Sequence, residues 1–240
     1  MSLGGAITTN AAAGLVVTGA ASLAADTAIT TAAANGVVTF TSTIDGGKNL
    51  DILTHGTGAV TISGAVGSTT PLTTLDINNT GTATGTISVA NIGLTDGSNY
   101  TYGVTGTTNI GTTTTGDVTL SGTVYNTGTV NYQAASDKDI KLTGASPTFR
   151  LDVAVGDAIQ FETAEVVLSN GTTSVITHGE NITIAGAVTG TDNNEVLSLT
   201  TLDASQTTGE ITLSSTVGAS GKIGSVALAG KPVKLGGAIT

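Results

Sequence analysis

The sequence contains no cysteine and no tryptophan, one methionine, three prolines and seven aromatic residues. Without cysteine there is no disulfide framework and no thiolate metal site. Basic residues are scarce: seven Lys and Arg stand against seventeen Asp and Glu, a formal net charge of −10 over 240 residues. Binding to a phosphate backbone rests on Lys and Arg, so a nucleic-acid partner is excluded. No apolar run approaches the roughly 18 residues of a membrane-spanning helix, and no membrane insertion is expected. The first residues, MSLGG, carry neither the basic nor the apolar region of a secretory signal.

What is present is Thr, 49 residues, and Gly, 34 residues. Such bias raises the question of disorder, but Leu, Ile, Val and Phe number 59, about a quarter of the chain, and charged residues make up only 10%. A disordered chain has fewer branched apolar residues and more charge. Val, Ile and Thr favour strands, and helix formers are few.

Repeats define the fold class. A seven-residue pattern occurs at 38–44 (VTFTSTI), 60–66 (VTISGAV), 118–124 (VTLSGTV), 182–188 (ITIAGAV) and 211–217 (ITLSSTV). Its first, third and seventh positions are apolar and alternate with Thr, Ser or Ala, the period of a strand with one buried face. The fifth position is Gly or Ser and is expected to point inward at a corner where no large side chain fits. A longer duplication, about 36–77 and 160–204, sets LTHG (53–56), VTISGAV (60–66) and LTTLD (72–76) against ITHG (176–179), ITIAGAV (182–188) and LTTLD (199–203). Coils of about 20–30 residues that stack on one another suit a β-solenoid. The expected fold is all-β, a single parallel solenoid over 1–240 with about eight to eleven coils at ~4.8 Å each. A β-sandwich of Thr- and Gly-rich strands is the alternative. The duplication predicts that 60–66 and 182–188 lie on the same side of the solenoid. The hexapeptide LGGAIT at 3–8 returns at 235–240, an interval of 232 residues, which suggests one period excised from a longer array.

The segments 60–77 and 36–53 resemble the repeats of filamentous-haemagglutinin-like proteins, found in large bacterial surface adhesins and autotransporter passengers. The resemblance implies a right-handed parallel β-helix, secreted or displayed at the bacterial cell surface, with a stalk or adhesive role. It implies no cofactor and transfers no catalytic residues. The partners expected are adjacent repeats of the same polypeptide or a second copy end to end, and surface glycans.

Candidate chemistry is thin, and no catalytic, cofactor-binding or metal-binding residue is assigned. His55 and His178 are the only histidines; their separation by several coils makes each an exposed turn residue rather than half of a metal site. Residues 46–53 (GGKNLDIL) resemble a calcium-binding nonapeptide, but such sites share ions between tandem copies and there is one copy, so Asp51 reads as a surface residue. Asp45 with Asp51, or Asp137 with Asp139, would give the carboxylate pairs a glycosidase needs. Only Tyr100, Tyr102, Tyr125 and Tyr132 offer platforms for a sugar. A carbohydrate-active β-helix enzyme is therefore the alternative function. The pairs Thr39/Thr41, Thr105/Thr107, Thr113/Thr115 and Thr127/Thr129 raise a third, ice-binding reading, which their irregular spacing disfavours. Asn78, Asn170 and Asn181 match the glycosylation acceptor pattern, as expected by chance in a Thr-rich chain.

Overall fold

The computed structural model describes residues 1–32, 35–96, 99–151, 158–201 and 209–240. Among them there is no helix. Short strands pair almost entirely in parallel, each with the strand one coil earlier and one coil later, and wind into a β-solenoid of about nine turns. The chain meets three faces per coil. The first face runs from Ser2–Thr9 through Asn49–Leu53 and Asn181–Ile184 to Val233–Leu235. The second runs from Leu15–Val17 through Val60–Ile62 to Val188–Gly190. The third opens as single bridges, Ile44 to Val66 to Ile92 to Tyr125, and becomes a five-stranded sheet from Val124–Asn126 to Ser225–Ala229.

Strand registry turns the apolar positions into columns along the axis. On the first face Ile29, Ile52, Ile77, Ile110, Tyr132, Phe161, Ile184 and Leu213 stack in order. On the second, Val17, Phe40, Ile62, Val89, Leu120, Leu142 and Leu168 do the same. All are essentially inaccessible to solvent. Coil length varies widely, from 22 residues between Ile110 and Tyr132 to 33 between Ile77 and Ile110. The columns hold across this range because the paired strands keep their register from coil to coil. Of the four Tyr, Tyr125 and Tyr132 are core residues. Tyr125 stacks on Phe149 at 4.6 Å between ring centroids, and Tyr132 on Phe161 at 5.1 Å, each pair in strand register.

The structure corrects two expectations. The five motifs do contain strands, but they do not share a side. Residues 60–62 lie on the second face and Val66 on the third, whereas 182–184 lie on the first face and Val188 on the second. The offset of the duplication is not a whole number of coils, so the second copy is set back by one face. The motif encodes a strand, a corner and the start of the next strand, and more than one corner of the coil accepts it. The fifth position is also not inward. A Cβ on Gly64 would lie 2.2 Å from the carbonyl carbon of Ser42, and one on Gly186 1.8 Å from the carbonyl oxygen of Ala164. The constraint acts along the axis, where the corner of the preceding coil leaves no space for a side chain. The two copies of LGGAIT likewise occupy different arcs: Ile7 stacks on Ile29 on the first face, while Ile239 bridges Val217 on the second.

Candidate functional site

The corners of the solenoid are held by short polar side chains. Thr54, buried, donates its hydroxyl to the Gly58 carbonyl at 2.7 Å, and its N–H donates to Asn78 Oδ1 at 2.8 Å. Thr177 and Thr201 repeat the device, donating to the carbonyls of Glu180 and Gly209. This places the two Thr-His-Gly turns. In each the Thr faces inward and the following histidine is exposed. His55 sits between the first and second faces and His178 between the third and first, several coils apart. The structure does not bring them together.

The paired carboxylates resolve differently from their sequence spacing. Asp45 Oδ1 accepts the N–H groups of Thr69 and Thr70 at 2.7 and 3.1 Å, a loop cap one coil away. Asp51 instead stacks on Asp76 in parallel register; burial, and then the Asp76 charge, raise its pKa. Asp76 in turn accepts Asn109 Nδ2 at 2.7 Å. In the 46–53 segment, the Asn49 N–H bonds Asp26 at 3.0 Å. Asp137 is exposed and pairs with Lys138 at 2.7 Å. Asp139 lies 3.6 Å from Lys141, which also reaches Asp117 at 2.5 Å. Burial works against ionisation of Asp117, but the hydrogen bonds from Lys141 and from the Asp139 N–H, together with the charges of Lys141 and Lys138, outweigh it and lower the pKa. Lysine partners lower the pKa of Asp117 and Asp137 and so favour the ionised form, the opposite of a general acid.

The sugar platforms reduce to Tyr100 and Tyr102. Tyr100 lies on the one antiparallel element among the described residues, the hairpin of Leu94–Asp96 with Asn99–Thr101, inserted in the longest coil. Asn126, buried, ties the hairpin base by donating Nδ2 to the carbonyls of Leu94 and Thr101 at 3.1 and 3.3 Å. From the next coil Arg150, the only arginine, sets its guanidinium 4.0 Å from the Tyr100 ring centre. One coil further on, His178 Nε2 lies 3.5 Å from Arg150 Nη2. A guanidinium can only donate, so the contact is favourable with Nε2 as acceptor. Sequence reasoning missed this cluster because its members sit 28 to 78 residues apart and meet only through the stacking of coils.

The Thr pairs named from sequence do not form one array. Thr127 is buried, and Thr105 bonds the Leu72 carbonyl. A different row is in register: Thr39, Thr61, Ser88 and Thr119 face outward on the second face, one per coil. The glycosylation candidates act as corner caps. Asn78 is buried with φ 49°, Asn170 donates to Thr143, and Asn181 Oδ1 accepts the Glu210 N–H. Leu202 and Asp203, which close the second copy of the duplication, lie outside the described residues.

One more polar residue escaped sequence reading. Glu195 is fully buried at the corner between the second and third faces. Burial pushes its carboxyl up, but hydrogen bonds from Thr191 and from the N–H of Asp192 outweigh it and lower the pKa to about 2. Comparison of the chain with protein-family models, curated proteins and solved structures finds no match.

Proposed function

We propose that this chain is a rigid, non-catalytic segment of a secreted or surface-displayed bacterial adhesin or filament. The supporting observation is the unbroken stack. Among the described residues the core columns run from coil to coil without a helical layer or a second core, and their last members are open to solvent. Val233, Leu235 and Ile239 are 37%, 52% and 44% exposed. A stack of this kind resists bending because every coil is hydrogen-bonded to both neighbours, and it offers a terminal coil on which further β-structure can add. The resemblance of 36–53 and 60–77 to haemagglutinin-type repeats supports the adhesive purpose. The lysine-paired carboxylates of Asp117 and Asp137 support a non-catalytic role.

In this reading the terminal coil packs against adjacent repeats of the polypeptide or a second copy end to end. Sedimentation velocity across protein and salt concentration tests the contact. Leu235→Lys should abolish concentration-dependent association of the wild type. Association that is unaffected by Leu235→Lys, or a wild type that stays monomeric at high concentration and high salt, overturns it.

A further inference from the structure

Glu195 is the one charged side chain that is buried among the described residues. Its carboxylate is satisfied on one side only. Oε1 accepts the Thr191 N–H at 2.6 Å, the Thr191 hydroxyl at 2.7 Å and the Asp192 N–H at 2.9 Å. Oε2 is as deeply buried and has no hydrogen-bond partner. It faces the next coil. A Cβ on Gly190 would lie 2.5 Å from Oε2 and 2.5 Å from the carbonyl oxygen of Lys222, so these two oxygens are at most twice that distance apart. The Glu195 carbonyl holds the same stretch of the next coil, accepting the N–H groups of Gly224 at 2.7 Å and Ser225 at 3.3 Å.

Two electron-rich oxygens therefore lie near each other across a coil junction, and the one that bears a full charge, Oε2, has no donor. Buried charges in proteins are paired or bound to metal, and an orphaned buried oxygen marks the place of a water or an ion. We infer that the 191–195 corner and the Lys222 carbonyl bind a hard cation, calcium, lodged between two coils. Carboxylate and carbonyl oxygens are its preferred ligands, and calcium tolerates an irregular shell; magnesium, which requires a near-ideal octahedron, fits such a junction less well. The carboxylate is ionised at neutral pH, so binding displaces no proton from it. A second carboxylate adds negative potential nearby: Glu165 Oε1 accepts the hydroxyl of Thr189, the residue before Gly190, at 2.6 Å. No group of three His, Asp or Glu side chains suited to a metal occurs among the described residues. This site uses a single carboxylate and a main-chain oxygen, and the calcium-like segment at 46–53 has no part in it. The ion would clamp Val196–Thr200, which follows the corner, to its partner strand Ser225–Ala229.

The test is calcium titration of chelator-stripped protein by calorimetry, with thermal denaturation in EDTA and in calcium. The wild type should bind about one ion with a Kd of about 10⁻⁴–10⁻³ M, the range of extracellular modules, and its Tm should rise by several degrees. Glu195→Gln keeps an acceptor for the 191–192 donors and can turn an amide N–H towards the Lys222 carbonyl. It should fold in EDTA and lose both the binding and the shift. Absence of binding to the wild type overturns the inference and assigns a water to the junction. An equal shift in Glu195→Gln also overturns it and assigns the effect to the acidic surface. If Glu195→Gln fails to fold, the anomalous signal of wild-type crystals grown with terbium decides. An ion beside Oε2 supports the site, and ions found only elsewhere exclude it.

Discussion

Thr61 and Ile62 are neighbours in sequence and opposites in environment, because a strand turns alternate side chains to the core and to water. Ile184 and Ile62 each have an apolar residue above and below and are 1% exposed. Ile184→Ala should cost about 2–5 kcal/mol, the range for a buried Ile truncated where the packing collapses only partly. Thr61→Ala, on the outward row, should cost under about 0.5 kcal/mol. Equal urea midpoints for the two variants would contradict the assigned alternation. Glu195 makes a prediction of the other kind. Its folded pKa of about 2 lies below the ordinary 4.5, so it contributes stability at pH values above 4.5 that is lost as pH falls through that window towards 2. Acid denaturation in EDTA should therefore weaken the wild type more steeply over this range than Glu195→Gln, which has no proton to gain. Parallel curves would show that the buried carboxylate is not held ionised.

At the scale of elements, the corner and the hairpin carry the specificity that the strands lack. Any strand of alternating Val, Ile and Thr can pair with any other, and slippage by one residue would expose a whole column. The corners prevent this through steric fit along the axis and through buried Thr and Asn caps. Gly186→Ala should destabilise by more than Ile184→Val, since its methyl would meet the Ala164 carbonyl and the main chain would have to shift. Thermal denaturation of the two variants compares them directly. The hairpin is tied to the following coils through Asn126 and through the Arg150 contact with Tyr100. Arg150→Ala removes a cation–π contact of about 0.5–1 kcal/mol at an exposed site. Amide exchange should rise at Leu94 and Thr101 while the global Tm moves little. Unchanged exchange there would mean that the hairpin is anchored through Asn126 alone.

For the whole molecule, stability is close to a sum of neighbour terms, because the strands of each coil pair with those of the coil before and the coil after. Long-range charge enters separately. With a net charge of −10, two copies repel at low ionic strength, and the repulsion is screened within about 10 Å at 0.1 M salt. Association through the terminal coil should therefore strengthen as salt is added. Dissociation on adding salt would instead point to ion pairs as the adhesive contact.

Composition and periodicity alone determined that this chain is a folded, acidic, all-β solenoid built from apolar columns, since alternation at period two and strand-sized repeats are local properties. They also placed Ile62, Leu120, Ile184 and Leu213 in the core, as found. They did not determine which face each repeat occupies. Similar corner sequences fit different corners, and coil lengths between 22 and 33 residues accumulate into a displacement that no local pattern records. Nor did they assign Tyr125 and Tyr132 to the interior, because an aromatic residue beside irregular loops reads equally as an exposed platform until the stacked Phe149 and Phe161 are seen one coil away. The Tyr100, Arg150 and His178 cluster and the half-satisfied carboxylate of Glu195 were decided by tertiary structure alone. Both depend on which residues lie one or two coil rises apart along the axis, a distance set by backbone hydrogen bonding between coils and not by separation in sequence.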